Sequence, residues 1–310
     1  MYYMIEIKKL TKKFNNIKVL DKLSFSVKRG EVLGFLGPNG AGKTTTMKII
    51  TSFWQASKGS VEIDGKDVVL DSLETRAKIG YLPENVPLYE DMLVREYLKF
   101  VAEIRDVKDK EERIEEVAKL CGLSSVMKKS IDELSKGYRQ RVGLAQAIMH
   151  NPDVLILDEP TTGLDPNQIV EIRDLIKKIG KEKTVIFSTH ILGEVEATCD
   201  RVIIINKGKI VGEGKPEELL RNAGAKDLIY IKIKGKREEV YKELKKIKYS
   251  EHVKIKNKER AGIYGYEIRI KETKDIREDL SKMIFRQGWS IFEMRTKSQS
   301  LEDVFRVLTK

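Results

Sequence analysis

The stretch GPNGAGKTT, residues 37–45, constrains this chain more than any other. An apolar run, EVLGFL, precedes it and TMKII follows it. A glycine-rich turn between a strand and a helix is the form in which backbone N–H groups wrap a phosphate chain. Gly37-x-x-x-x-Gly42-Lys43-Thr44 fills every required place of that pattern. Gly37, Pro38, Asn39, Gly40, Ala41, Gly42, Lys43, Thr44 and Thr45 are therefore the expected nucleotide-binding residues. The glycines let the backbone approach phosphate oxygens, and the helix after Gly42 turns its positive end towards them. Lys43 is expected at the β- and γ-phosphates, and the Thr44 hydroxyl on Mg²⁺.

Such a loop needs acids to complete it. In VLILDEP, residues 154–160, four apolar residues place Asp158 at the C-terminal end of a buried strand. Ligands gather at that end of a parallel sheet. Asp158 is the expected Mg²⁺ residue, directly or through water, and Glu159 the group that orients or activates the attacking water.

Strand patterns alternate with helical ones through residues 31–206, which argues a mostly parallel sheet covered on both faces. The segment before them clusters into further strands, and SKGSVEIDGKDV reads as a hairpin. From Leu93 to about Ile148 apolar residues recur every three or four positions, as in an inserted helical subdomain. Composition shifts near residues 223–225. Beyond it the order strand, helix, strand, strand, helix, strand, with a last helix, predicts a small ferredoxin-like α+β domain. The expected fold class is α/β: a phosphate-loop core with an antiparallel β subdomain, the helical insertion (about 85–150) and that α+β domain. The expected domains are residues 1–222 and 225–310.

Of 310 residues, 41% are hydrophobic, enough for a sizeable core. No run reaches the roughly 18 apolar residues of a membrane span, so the chain reads as soluble. The N-terminus lacks a signal-peptide layout. Two cysteines, Cys121 and Cys199, are too few for a disulfide framework and read as buried thiols. The net charge of +11 is concentrated at the end: residues 225–310 hold 23 Lys and Arg against 14 Asp and Glu. A basic surface suits an anionic membrane face or nucleic acid, and equally a solvated charged face.

LSKGYRQR, residues 134–141, resembles the signature segment of ABC ATPases, the nucleotide-binding subunits of ABC transporters. With the phosphate loop, LILDEP, TTGLDP and STH in the family's order, the resemblance covers residues 4 to about 220. It implies the following roles. Phe14 stands where the family stacks an aromatic on adenine. Ser135 and Gly137 would bind the γ-phosphate held by the opposite subunit. Asp165 belongs to the loop that crosses the subunit interface, and His190 matches the switch histidine that would contact the γ-phosphate and position water. His150 and His252 match no chemical slot and read as structural or surface residues.

Two positions depart from the family pattern. Glu84 replaces the usual Gln after the GYLP strand, where the side chain meets Mg²⁺; a full charge there either substitutes harmlessly or alters metal binding or coupling. The signature reads Ser-Lys-Gly-Tyr instead of Ser-Gly-Gly-Gln, which puts Lys136 beside a phosphate site.

GYLPE, LSKGYRQR, one cassette and the ending SLEDVFRVL resemble type-2 exporter ATPases, among them drug, sodium-ion and gliding-motility-type exporters. The implied activity is ATP hydrolysis with ATP and Mg²⁺, powered closure of a head-to-tail dimer with a second cassette, and separate polytopic permease subunits. The implied place is the cytoplasm, peripherally attached to the cytoplasmic face of the cell membrane, with no nucleic acid partner. Val86, Leu88, Tyr89 and Met92 form the expected permease groove, or else pack within the helical subdomain. The competing class is a soluble ABC ATPase acting on ribosomes or nucleic acid. Against it, Lys43 and Asp158 are only 115 residues apart with no sustained heptads between them, and the C-terminal domain lacks an aromatic RNA platform. A dimerisation or regulatory role for that domain is compatible with the exporter reading.

Overall fold

The computed structural model describes residues 3–222, 228–247, 250–260, 262–270, 276–297 and 301–309. The composition shift at 223–225 lies outside them. Two compact units result: residues 1–216 with 308–310, and residues 217–307.

In the first unit the chain opens with two long strands, β1 (Tyr3–Phe14) and β2 (Ile17–Lys28), and then β3 (Val32–Leu36). Helix α1 (Lys43–Ile50) follows the phosphate loop. Next come the hairpin β4 (Lys58–Ile63) and β5 (Lys66–Asp67), helix α2 (Ser72–Ala77) and β6 (Ile79–Leu82). The insertion supplies α3 (Val94–Ile104), α4 (Lys110–Leu120) and α5 (Lys136–Ile148). The chain then alternates through β7 (Val154–Asp158), α6 (Pro166–Gly180), β8 (Thr184–Thr189), α7 (Leu192–Thr198), β9 (Arg201–Asn206) and β10 (Lys209–Gly214); α8 (Pro216–Asn222) follows, its residues from Glu217 onward falling to the second unit.

Six strands form the central sheet in the order β10-β9-β3-β8-β7-β6. Every pair is parallel except β9 with β10, which turns back at Lys207–Gly208 with φ of 49° and 74°. Residues of β7 divide by parity between two cores. Val154 and Ile156 join Met4, Phe35, Met47 and Ile203, whereas Leu155 and Leu157 join Val142, Ile172, Ile176 and Phe187. A strand buried on both faces has to be apolar throughout, which is why VLIL has no polar alternation. The antiparallel sheet β2-β1-β4-β5 and α1 cover the first face; α5 and α6 cover the second.

Local chemistry sets the helix that follows the acids. Asp165 Oδ1 accepts hydrogen bonds from Asn167 N and Gln168 N, both at 3.0 Å, and Pro166 occupies the first helical position. A side-chain cap and a proline at that place fix the start of α6 within one residue.

The second unit carries β11 (Leu228–Lys234), α9 (Arg237–Lys245), β12 (Ser250–Arg260), β13 (Ile263–Ile270), α10 (Arg277–Arg286), β14 (Ser290–Lys297) and α11 (Leu301–Leu308). Its strands are antiparallel in the order β12-β13-β11-β14, the ferredoxin-like arrangement. Val240 and Leu244 of α9 and Leu280 and Ile284 of α10 bury against Ile229, Ile231, Tyr266 and Ile268. Two of its lysines meet acids on neighbouring strands, Lys232 with Glu293 at 2.9 Å and Lys256 with Glu267 at 3.3 Å.

The segment after Glu84 packs in part within the helical subdomain, the second of the two expectations for it. Val86, Leu88 and Met92 pack onto the core of the helical insertion, and only Tyr89 stands exposed, its ring against Tyr97 and Phe100. Among the described residues no helix is long and apolar enough to cross a membrane.

Candidate functional site

Strands β3, β8, β7 and β6 are consecutive neighbours, so the segments leaving their C-terminal ends share one edge. These are the phosphate loop, Thr189–His190, Asp158–Glu159 and the turn to Glu84. They enclose a cleft of about 330 Å³ lined by Asn39, Gly40, Gly42, Lys43, Thr44, Thr45, Glu84, Glu159, Thr162, His190 and Val19.

The loop is shaped by its own backbone. Gly42 has φ of 110°, and a Cβ there would lie 2.5 Å from Leu20 Cδ2, so no other residue fits. Gly37 N donates to Thr189 O at 3.4 Å and Ala41 N to Pro38 O at 3.1 Å. Lys43, 5% exposed, bends back over the loop and donates to Gly37 O at 2.8 Å and Pro38 O at 3.3 Å. The same Nζ lies 3.1 Å from Glu159 Oε1, an ion pair without hydrogen-bond alignment.

Glu159 is 6% exposed and has φ of 50°, a left-handed backbone that costs a non-glycine residue free energy. Its N–H donates to Ser188 Oγ at 3.0 Å and to Ser188 O at 3.2 Å, which holds that conformation. Its Oε2 lies 2.8 Å from His190 Nδ1 and accepts from Thr162 Oγ1 at 3.2 Å. Glu159 thus faces a lysine on one side and an imidazole on the other.

Asp158 is fully buried, and Ser188 Oγ donates to its Oδ1 at 2.6 Å. Its Oδ2 has no hydrogen-bond partner among the described residues. Burial raises its pKa, Glu159 adds to the rise, and the Ser188 and Thr44 hydroxyls and Lys43 oppose it. An orphaned buried carboxylate oxygen beside a threonine hydroxyl is a fitting donor for a hard divalent cation.

The other expected residues lie outside this cleft. Phe14 ends β1, is 38% exposed, and packs edge-on against Trp54 at 5.1 Å with Lys12 Nζ 4.9 Å over its ring. Ser135 caps α5, accepting from Tyr138 N at 3.4 Å, and Gly137 is buried in its first turn. Asp165 caps α6. One chain therefore holds two separate sets: the phosphate cleft, and the Ser135–Gly137 turn with Asp165. His150 is structural in the sense expected: its Nε2 donates to Ile79 O at 3.0 Å.

Thr162, Ser188 and Val19 were missed. No motif spacing marks them. Ser188 in particular gains its role from strand register, which sets it opposite Asp158.

Comparison with known proteins agrees with this geometry. The ABC transporter family model matches residues 20–162. The uncharacterized ABC transporter ATP-binding protein YhcH of Bacillus subtilis is 35% identical, covering 100% of this chain and 97% of the relative. The bacitracin transport ATP-binding protein BcrA of Bacillus licheniformis is 40% identical, covering 69% of this chain and 70% of the relative. A dimeric structure of a post-hydrolysis state of the ATP-binding cassette MJ0796, bound to ADP and Pi, superposes with a TM-score of 0.63 at 28% identity, over 68% of this chain and 98% of that one. The chain belongs to the ATP-binding proteins of ABC transporters. It is an ATP-hydrolysing transporter subunit of the ABC-ATPase fold, not the soluble ribosome- or nucleic-acid-acting alternative.

Proposed function

We propose that this chain drives a type-2 exporter by closing head-to-tail on a second cassette, with ATP held between the two. The observation that carries the reading is the division of one chain into two sets. The cleft with Lys43, Glu159 and His190 excludes Ser135, Gly137 and Asp165, so a second cassette must supply them. A contact made only through the terminal phosphate is lost when that phosphate leaves, which makes closure depend on ATP.

Within the cleft, loop N–H groups and Lys43 orient the phosphates. Glu159 Oε2 accepts the proton of a water aligned with the γ-phosphorus, and His190 at 2.8 Å steadies that carboxylate. Phe14 offers its exposed ring to the base, and Trp54 braces it edge-on. Thr44, Asp158 and Glu84 would hold Mg²⁺, which would supply positive charge to the phosphates. Separate membrane subunits carry the pathway, and the chain works on the cytoplasmic face of the cell membrane, without nucleic acid.

The test is a gentle-detergent pull-down of tagged E159Q from its native cells with ATP and Mg²⁺. A co-purifying polytopic membrane protein is the expected result. Ribosomes or nucleic acid without a membrane partner would overturn the reading.

A further inference from the structure

We propose that Lys136 is a second nucleotide-contacting cation, acting on the terminal phosphate of the nucleotide held by a second copy of this chain. The proposal rests on the head-to-tail pairing above.

Three cations occupy the start of α5. Arg139 pairs with Glu90 at 3.1 Å and donates to Asp132 O at 2.8 Å; Arg141 pairs with Glu171 and donates to Cys121 O at 3.0 Å. Both are tied within their own chain. Lys136 is exposed and makes no hydrogen bond or ion pair among the described residues. Its ammonium is therefore the charge this turn keeps in reserve.

The side chain does not swing free in solvent. It lies along Gly163: a Cβ on that glycine would meet Lys136 Nζ at 2.1 Å, Cε at 3.2 Å and Cδ at 3.5 Å. Gly163 has φ of 74° and sits between Glu159 and Asp165. One residue on, a Cβ at Gly137 would meet the Gln168 side chain at 2.5–2.8 Å. The signature turn and the Thr161–Gln168 segment thus lie in side-chain contact, with Lys136 over Gly163 and Gln168 over Gly137. The lysine stem lies between the signature turn and Gly163.

The chain's own phosphate cleft does not include Lys136. The ammonium stands beside Ser135 and Gly137, the turn expected to meet the opposite nucleotide. An added cation there strengthens closure on a terminal phosphate and gains less from a diphosphate. It also links that contact to the segment carrying Gly163 and Asp165, which leads back to Glu159.

The experiment uses the full chain with E159Q, in which turnover is slow. Dimerisation is followed by sedimentation across an ATP series. ATP affinity of the separated chain is measured by fluorescent-nucleotide titration at low protein concentration. K136M should raise the ATP needed for half-dimerisation about tenfold, the effect of losing one charge-assisted hydrogen bond. Affinity of the separated chain should stay within about twofold, and K136R should restore dimerisation. K136Q gives the same reading should K136M fold poorly. If K136M dimerises at unchanged ATP, or weakens the separated chain equally, the Lys136 role is overturned while the pairing stands. If E159Q stays monomeric at every ATP concentration, both fall.

Discussion

Lys43 Nζ and Glu159 Oε1 lie 3.1 Å apart in the cleft, each side chain at most 6% exposed. The residue expected at the phosphates and the residue expected at the water therefore neutralise one another across the very space a γ-phosphate must share. Two buried opposite charges of this kind cannot be removed one at a time without leaving the other uncompensated.

Lys43→Met should lower ATP affinity about 10- to 100-fold, since it removes a charge-assisted contact to the phosphates. It should also lower Tm, because Glu159 keeps its burial and loses its cation. Placing Lys43→Met in an E159Q background should cost less stability than placing it in the wild type. A thermal double-mutant cycle reads this coupling, and additive losses would show that the pair contributes nothing.

Glu159→Gln should retain ATP binding and lower turnover at least about 100-fold, the usual scale for losing a positioned base. His190→Ala should lower turnover while leaving nucleotide affinity near that of the wild type, because His190 acts through Glu159 Oε2. Steady-state phosphate release with parallel nucleotide titrations separates the two effects. Normal turnover in E159Q would remove Glu159 from the chemistry.

Much of this site was legible because its parts are local in sequence. The phosphate loop needs nine consecutive residues, and Asp158 and Glu159 follow directly from a strand whose apolar run announces burial on both faces. The C-terminal topology was legible for a similar reason: the order of strands and helices admits few ways to cover one face of an antiparallel sheet. Ser188 and Thr162 were not legible. A serine opposite Asp158 and a threonine reaching Glu159 Oε2 acquire meaning only once β7 and β8 pair in register and the turn after Glu159 closes. The segment after Glu84 stayed open between two readings for the opposite reason. Apolar residues at close spacing do not say whether they face a partner or their own core, and Val86, Leu88 and Met92 rest half-buried on the core with part of each side chain still exposed.

His150 should give the fold an acid-sensitive component. Burial lowers its pKa to about 4, with the positive charges of Arg105 and Arg113 acting in the same direction; the bond to Ile79 O acts against it. Its Nδ1 has no partner among the described residues. A folded pKa below the ordinary value near 6.5 means that the unfolded chain takes the proton first as pH falls. The contribution is complete above about pH 6.5 and is lost progressively towards pH 4. Allowing for partial exposure, the loss should be of order 1 kcal/mol by pH 5. Tm measured from pH 7.5 to 5 should fall less steeply for His150→Gln than for the wild type, and parallel slopes would assign the acid sensitivity elsewhere.

Removing residues 225–310 should leave a folded, ATP-binding cassette. The buried apolar residues of the central sheet and helical insertion all precede Asn206, and those of the ferredoxin-like unit run from Ile229 to Ile284. The truncation does remove Leu308, which groups with the first unit beside Gly212, but that side chain is only half-buried, so its loss should cost less than the roughly 2–5 kcal/mol of a fully buried large side chain. The phosphate loop, Asp158, Glu159 and His190 all remain. Circular dichroism melting and nucleotide titration of the truncated chain should match the full-length protein, with Tm shifted by no more than a few degrees. An insoluble product, or one that no longer binds ATP, would show that the cassette depends on the last quarter of the chain for its fold.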